Sequence, residues 1–253
     1  MRVPDLLTEF KTDVEAARNH LTESRWSNWM RYIHTADSDQ DTCVMLTDFS
    51  AIANLRAAKT DNSSVDNHAV LAVYFVLYDF RDATYTDEVG NVVTKKISTC
   101  DVWNWWTGGS SSEGKTNNHV THNACKNYML TYYKNLGKVF KKVILWTDNC
   151  AAQYKCRQAI LDVTTHSKRY PNTSSTHCFA TLYNFKGSWD SAGKIPKETL
   201  HKLELKGIRS PTYKECFINS REVLSTEHKE SPWHILERDG HANLFKKTPF
   251  KAD

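Results

Sequence analysis

At 253 residues, a quarter of them charged, the chain is long enough to bury a core without disulfide or metal staples. A net charge of +4 and a pI near 8.6 permit a polyanionic partner without demanding one. No apolar run is long enough to span a bilayer, and Met1-Arg-Val-Pro-Asp5 lacks the pattern of a signal peptide, so the expectation is an intracellular protein with no membrane partner. The seven cysteines are an odd number, scattered from Cys43 to Cys216 without a Cys-x-x-Cys pair, which favours free thiols.

Residues 5–34 place Leu6, Phe10, Val14, Leu21, Trp26, Met30 and Ile33 at near-helical intervals, predicting an N-terminal helical segment over 1–36, interrupted near Thr22-Glu-Ser24. Cys43–Thr47 predicts a short first strand ending on Asp48. His68–Tyr78, β-branched and aromatic, predicts a central strand, and Val92–Trp106 its return after a hairpin turn at Asp87–Asn91. A Gly/Ser loop covers 108–115, and Asn117–Phe140 predicts a helix. Val143–Thr147 is a buried strand ending on Asp148, and Asn149 is suited to a turn or a cap before a helix from Ala151 to His166. A fifth strand follows at His177–Tyr183, then Asp190, then a helix at Lys197–Lys206 with Pro196 in its first turn. Residues 211–225 predict a further helix, and the polar chain after Lys229 reads as loosely ordered.

Three strands followed by alternating helices and strands predict an α/β fold with a mixed sheet. In such a sheet the first and fourth strands can be neighbours, which brings Asp48 and Asp148 to one edge, with Asp190 just beyond the fifth. Converging carboxylates raise one another's pKa unless a cation sits among them. An all-oxygen donor set suits Mg²⁺ or Mn²⁺, and a pair of such ions activates a water or a 3′-hydroxyl for displacement at phosphorus. His119, His122 and Cys125, at three-residue spacings on a predicted helix, offer a zinc site as a weaker reading, since no second ligand pair follows.

The order of elements and acids resembles the ribonuclease H-like core of DDE/DDD transposases and integrases. Three local patterns are similar to those of transposon-derived eukaryotic proteins. Thr47-Asp48-Phe49-Ser50 resembles their first-strand Asp-Phe-Ser/Ala. Thr147-Asp148-Asn-Cys-Ala-Ala-Gln153-Tyr154-Lys155 resembles their Ser-Asp-Gly-x-x-x-Gln-Phe/Tyr-Lys. Phe179-Ala-Thr181 and Lys186-Gly187-Ser-Trp-Asp190 resemble their Phe-Ala-Thr and Lys-Gly-x-x-Asp. The resemblance covers residues 40–205, leaving 1–36 as a helical prefix and 206–253 as a C-terminal helical extension and tail.

It implies a five-stranded mixed sheet flanked by helices and metal-dependent DNA cleavage and strand transfer. Asp48, Asp148 and Asp190 would be the catalytic and Mg²⁺- or Mn²⁺-holding acids, with Gln153, Lys155 and Lys186 contacting the substrate strand. Transposon ends and target DNA as partners, self-association, and action in the nucleus or at a viral replication site follow from the resemblance alone. The chain departs from the family at Ala51-Ile-Ala, Asn149, Asn184-Phe185 and Ser191–Lys194, which keeps Glu198 open as the third carboxylate. Trp103, Trp105 and Trp106 fit core packing better than base stacking. Two other readings stand beside strand transfer: a plain nuclease, and a catalytically silent, domesticated core that binds DNA or protein.

Overall fold

Alternating side chains along β1 (Thr42–Ala51) divide the interior in two. Val44 and Leu46 enter one core, Cys43, Met45 and Phe49 the other, so the strand is buried on both faces. The computed structural model describes residues 3–51, 68–109, 118–150, 153–181, 188–208, 210, 213–227, 233–238 and 241–250.

β1 lies between β2 (His68–Thr86), to which it is antiparallel, and β4 (Lys142–Thr147), to which it is parallel. β3 (Val92–Gly109) returns antiparallel to β2, and β5 (Ser174–Phe179) pairs parallel to β4. The strands β5-β4-β1-β2-β3 thus form a mixed, open, five-stranded sheet flanked by helices.

α2 (His119–Asn135) covers one face through Cys125, Met129, Leu130 and Tyr133. Asn118 caps its start by accepting a hydrogen bond from the Thr121 amide at 3.1 Å, and Gly137, at φ +77°, follows its end in the left-handed conformation that glycine adopts freely. The other face is covered by α5 (Ser188–Leu205) through Ala192, Leu200 and Leu203, and by α6 (Tyr213–Glu227) through Cys216 and Phe217. α3 (Arg157–Thr164) and the four-residue α4 (His166–Arg169) join β4 to β5.

The structure revises several sequence expectations. α1 (Val3–Ala36) runs unbroken through Thr22-Glu-Ser24. There the Thr22 hydroxyl donates to the Arg18 carbonyl within the helix, so these polar residues need no break. The helix expected from Ala151 begins at Arg157, behind a turn in which the Cys150 carbonyl accepts from the Tyr154 and Lys155 amides. α5 begins nine residues earlier than expected, and Pro196 lies inside it rather than in its first turn. Within the tail expected to be loose, β6 (Trp233–Arg238) and β7 (His241–Phe250) pair as a hairpin that β7 joins to β3, extending the sheet to seven strands. All seven cysteines are free thiols.

Candidate functional site

The parallel ladder between β1 and β4 pairs Thr42 with Lys142 and continues to Leu46 with Trp146. Carried two residues further, the same register sets Asp48 beside Asp148. Asp48 lies within β1, which continues past it to Ala51, whereas Asp148 is the first residue beyond β4. Val44, Leu46, Ile144 and Trp146 share the core on the α5 face, and the two-residue period carries Asp48 to that same side. Both acids are partly exposed at the end of otherwise buried strands.

α5 brings the third candidate towards this edge. A Cβ at Gly193 would stand 2.9 Å from Val73 Cγ2, and Val73 is the residue paired with Asp48 across β1 and β2. Only a residue without a side chain lets the helix lie so close. Asp190 falls one turn earlier in α5, with its side chain outside the described residues. Glu198, the alternative, is an exposed side chain further along the helix, paired with Lys194 at 3.2 Å.

Burial raises the pKa of Asp148, opposed by the Cys150 amide, which donates to its Oδ1 at 3.0 Å. The carboxylate therefore carries charge at a desolvation cost that a nearby cation would offset. Across the sheet from the acids lies a residue that the sequence offered only as the Tyr of the Gln153-Tyr154-Lys155 pattern. Tyr154 is fully buried, stacks on Phe49 at 5.8 Å and meets His122 edge-on at 4.9 Å. Its phenol is held well above the usual range by burial and then by the negative charges of Asp48 and Asp148, so both acids lie within electrostatic reach. The signal was present in the sequence as a Tyr six residues past the second acid.

Behind Tyr154 sits a buried histidine group. Tyr74 Oη and His122 Nδ1 are 2.8 Å apart, Thr147 Oγ1 and His177 Nε2 3.0 Å apart, and the His122 and His177 rings 6.3 Å apart. His122 is thus buried, with one ring nitrogen engaged by Tyr74. Beside it the buried Lys126 ammonium pairs with Asp162, which also accepts from Arg169. Burial lowers the pKa of His122 and of His119, and brings both His166 and His177 down to about 4.

Gln153 and Lys155 sit in the turn before α3 rather than on a helix. Lys155 is exposed, its ammonium 5.9 Å from the Phe179 ring centre, and Arg157 opens α3 on the surface. Lys186 lies outside the described residues. Trp103, Trp105 and Trp106 are buried, Trp103 donating to the Tyr133 hydroxyl at 3.0 Å, so they pack the core and present no face to a base. Among the described residues no group of three His, Cys, Asp or Glu is placed to hold a metal ion, the combination of His119, His122 and Cys125 included. No helix among them is long and apolar enough to cross a membrane.

A family model described as a domain of unknown function (DUF8701) matches residues 110–224. That stretch contains α2, β4, Asp148 and α5 but stops short of β1 and Asp48. Comparison with curated proteins and with solved structures gives no match.

Proposed function

We propose that the chain is a ribonuclease H-like, transposase-type core in which Asp48, Asp148 and Asp190 hold Mg²⁺ or Mn²⁺ for cleavage and transfer of DNA strands. The observation that carries this reading is the parallel register of β1 and β4, which when extended sets Asp48 level with Asp148, with the start of α5 drawn against the strand beside them. The strand order β5-β4-β1-β2-β3, with β1 parallel to β4, supports the same assignment.

The residues fit such an ion. Their donors are all oxygen, and the burial of Asp148 gives its carboxylate a reason to take a cation. When bound, the metal would supply activation of a water or 3′-hydroxyl and stabilisation of the leaving oxygen. The chain's own contribution is placement. β1 carries Asp48 and β4 leads directly into Asp148, so a rigid sheet sets both acids, while Tyr154 packs against Phe49 on the opposite face. Lys155 and Arg157, with Lys186 and Gln153, offer donors to phosphates of a DNA strand, fixing its position without reading its sequence.

The first test is calorimetric titration of Mg²⁺ and Mn²⁺, with and without DNA, into the wild type and Asp148→Asn. Binding that needs DNA and is abolished by the substitution, with folding intact, supports a joint site and leads to a nicking and strand-transfer assay. Equal binding by both proteins, or none by either, overturns the catalytic reading.

One observation favours the silent-core alternative. The hydrogen bond from the Cys150 amide to Asp148 Oδ1 closes a local turn, a role the acid can fill without chemistry. In that case DNA binding survives Asp148→Asn unchanged and no strand is cut.

A further inference from the structure

α1 is 34 residues long, on the order of 50 Å, yet only its last turns meet the rest of the described chain. Ser27 is buried, Met30 packs on the core, and the His34 and Trp146 rings lie 5.5 Å apart. Stepped back by heptads, that seam reads His20 and Asp13 behind Ser27, and Glu23, Ala16 and Glu9 behind Met30. The side that faces the core at the end of the helix is thus polar along its beginning.

The apolar residues of the first half lie on a different side. Phe10, Val14 and Leu21 are 64%, 51% and 57% exposed, and Ala17 is exposed with them. Their spacing of four, three and four residues is that of a coiled-coil seam, and Leu7 extends it in the sequence. An open hollow of about 380 Å³ beside Phe10 and Val14, flanked by Lys11 and Arg18, offers a seat for a side chain from outside. A solvated helix of this length gains little from its own hydrogen bonds and is stabilised chiefly by burying an apolar face.

We propose that α1 pairs in parallel with α1 of a second copy of this chain through Phe10, Val14, Ala17 and Leu21. The charges flanking the seam select that occupant. With Val14 and Leu21 at the first heptad position and Phe10 and Ala17 at the fourth, Lys11 and Arg18 flank the seam on one side and Asp13 on the other. A parallel pair sets Asp13 of each copy against Arg18 of its partner, twice about the two-fold axis. An antiparallel pair would instead bring the Lys11 and Arg18 flanks together. An anionic lipid surface is disfavoured, because Asp5, Glu9, Asp13, Glu15 and Glu23 outnumber Lys11, Arg18, Arg25 and Arg31 along the helix.

Sedimentation equilibrium of the full chain tests this independently of any metal. The expected result is a concentration-dependent rise from 29.1 kDa to twice that mass. Val14→Glu with Leu21→Glu should hold the chain at the monomer mass with the sheet still folded, since neither side chain touches the core, and should remove the concentration dependence of the thermal midpoint. Arg18→Asp should weaken pairing about tenfold or more, and Asp13→Arg added to it should restore it. A wild type monomeric at every concentration overturns the proposal. So do dimers that survive the paired Glu substitutions, and a charge swap that fails to rescue.

Discussion

Asp48 in β1 and Asp148 just past β4 fall at matching positions when the parallel register of these strands, which pairs Leu46 with Trp146, is carried two residues on. Parallel strands meet only through long crossovers, here carrying β2, β3 and α2, so residues 100 positions apart become lateral neighbours. The two acids differ in what surrounds them, and that difference gives the first expected outcome.

Burial lifts the Asp148 pKa above its ordinary value, so the charged form is worse off folded than unfolded. For an acid shifted in this direction, stability falls as pH rises from the unfolded value through the folded one. At neutral pH without metal, Asp148→Asn should therefore leave stability unchanged or raise it by up to about 1 kcal/mol. Urea denaturation at pH 7 and at pH 3 checks the sign: the gain should vanish at the lower pH. A loss of several kcal/mol at pH 7 would mean that the carboxylate holds the turn at Cys150 and is chiefly structural.

Gly193→Ala should destabilise by about 1–3 kcal/mol, because the added Cβ would stand 2.9 Å from Val73 Cγ2 and the helix must shift to admit it. Val73→Ala opens the space from the other side, so the double variant should recover part of the loss. Denaturation midpoints of the four proteins form the cycle. If Asp190 completes the site with Asp48, Gly193→Ala should also weaken Mn²⁺ binding in the presence of DNA, and additive losses would rule out the contact as the cause.

Much of this arrangement was legible in the sequence, and the exceptions have physical reasons. Cys43–Thr47 and Val143–Thr147 stood out as apolar runs cut off by an acid, and the element order made their strands candidate neighbours. The beginning of α5 was hidden because Pro196 reads as a first-turn residue and so set the start at Lys197, whereas the helix begins at Ser188 and Gly193 allows it to lie against β2. The β6–β7 hairpin was legible but passed over, since Asp239-Gly240 stands between runs carrying Trp233, Ile235, Leu236, Leu244 and Phe245; only its pairing with β3 is a tertiary fact. Tyr154 fell within the helix expected from Ala151, but the turn at Cys150 instead buries it against Phe49.

Asp162 is buried between the Lys126 ammonium and the Arg169 guanidinium, and these charges hold its carboxyl below the usual range against the opposing effect of burial. Asp162→Asn would leave Lys126 charged, buried and without its counter-ion, costing about 3–5 kcal/mol. Lys126→Met should cost less, because Arg169 still neutralises the acid. Comparing the two variants by urea denaturation tests the asymmetry, and equal losses would show that packing rather than charge dominates there.

The buried His122 and His166 and the half-buried His177 should set the acid limit of the fold. His166 and His177 have folded pKa values near 4, and His122 is also lowered, against about 6.5 in an unfolded chain. The unfolded chain therefore binds protons first as pH falls, so this contribution is complete above pH 6.5 and is lost progressively down to about pH 4. Acidification over that range should cost on the order of 2–4 kcal/mol, with the denaturation midpoint falling throughout it. Replacing His177 by Gln, which keeps a polar group for Thr147 but cannot protonate, should flatten the slope without lowering stability at pH 7.5 by more than about 1–2 kcal/mol. A pH profile identical to the wild type would locate the acid sensitivity in other groups.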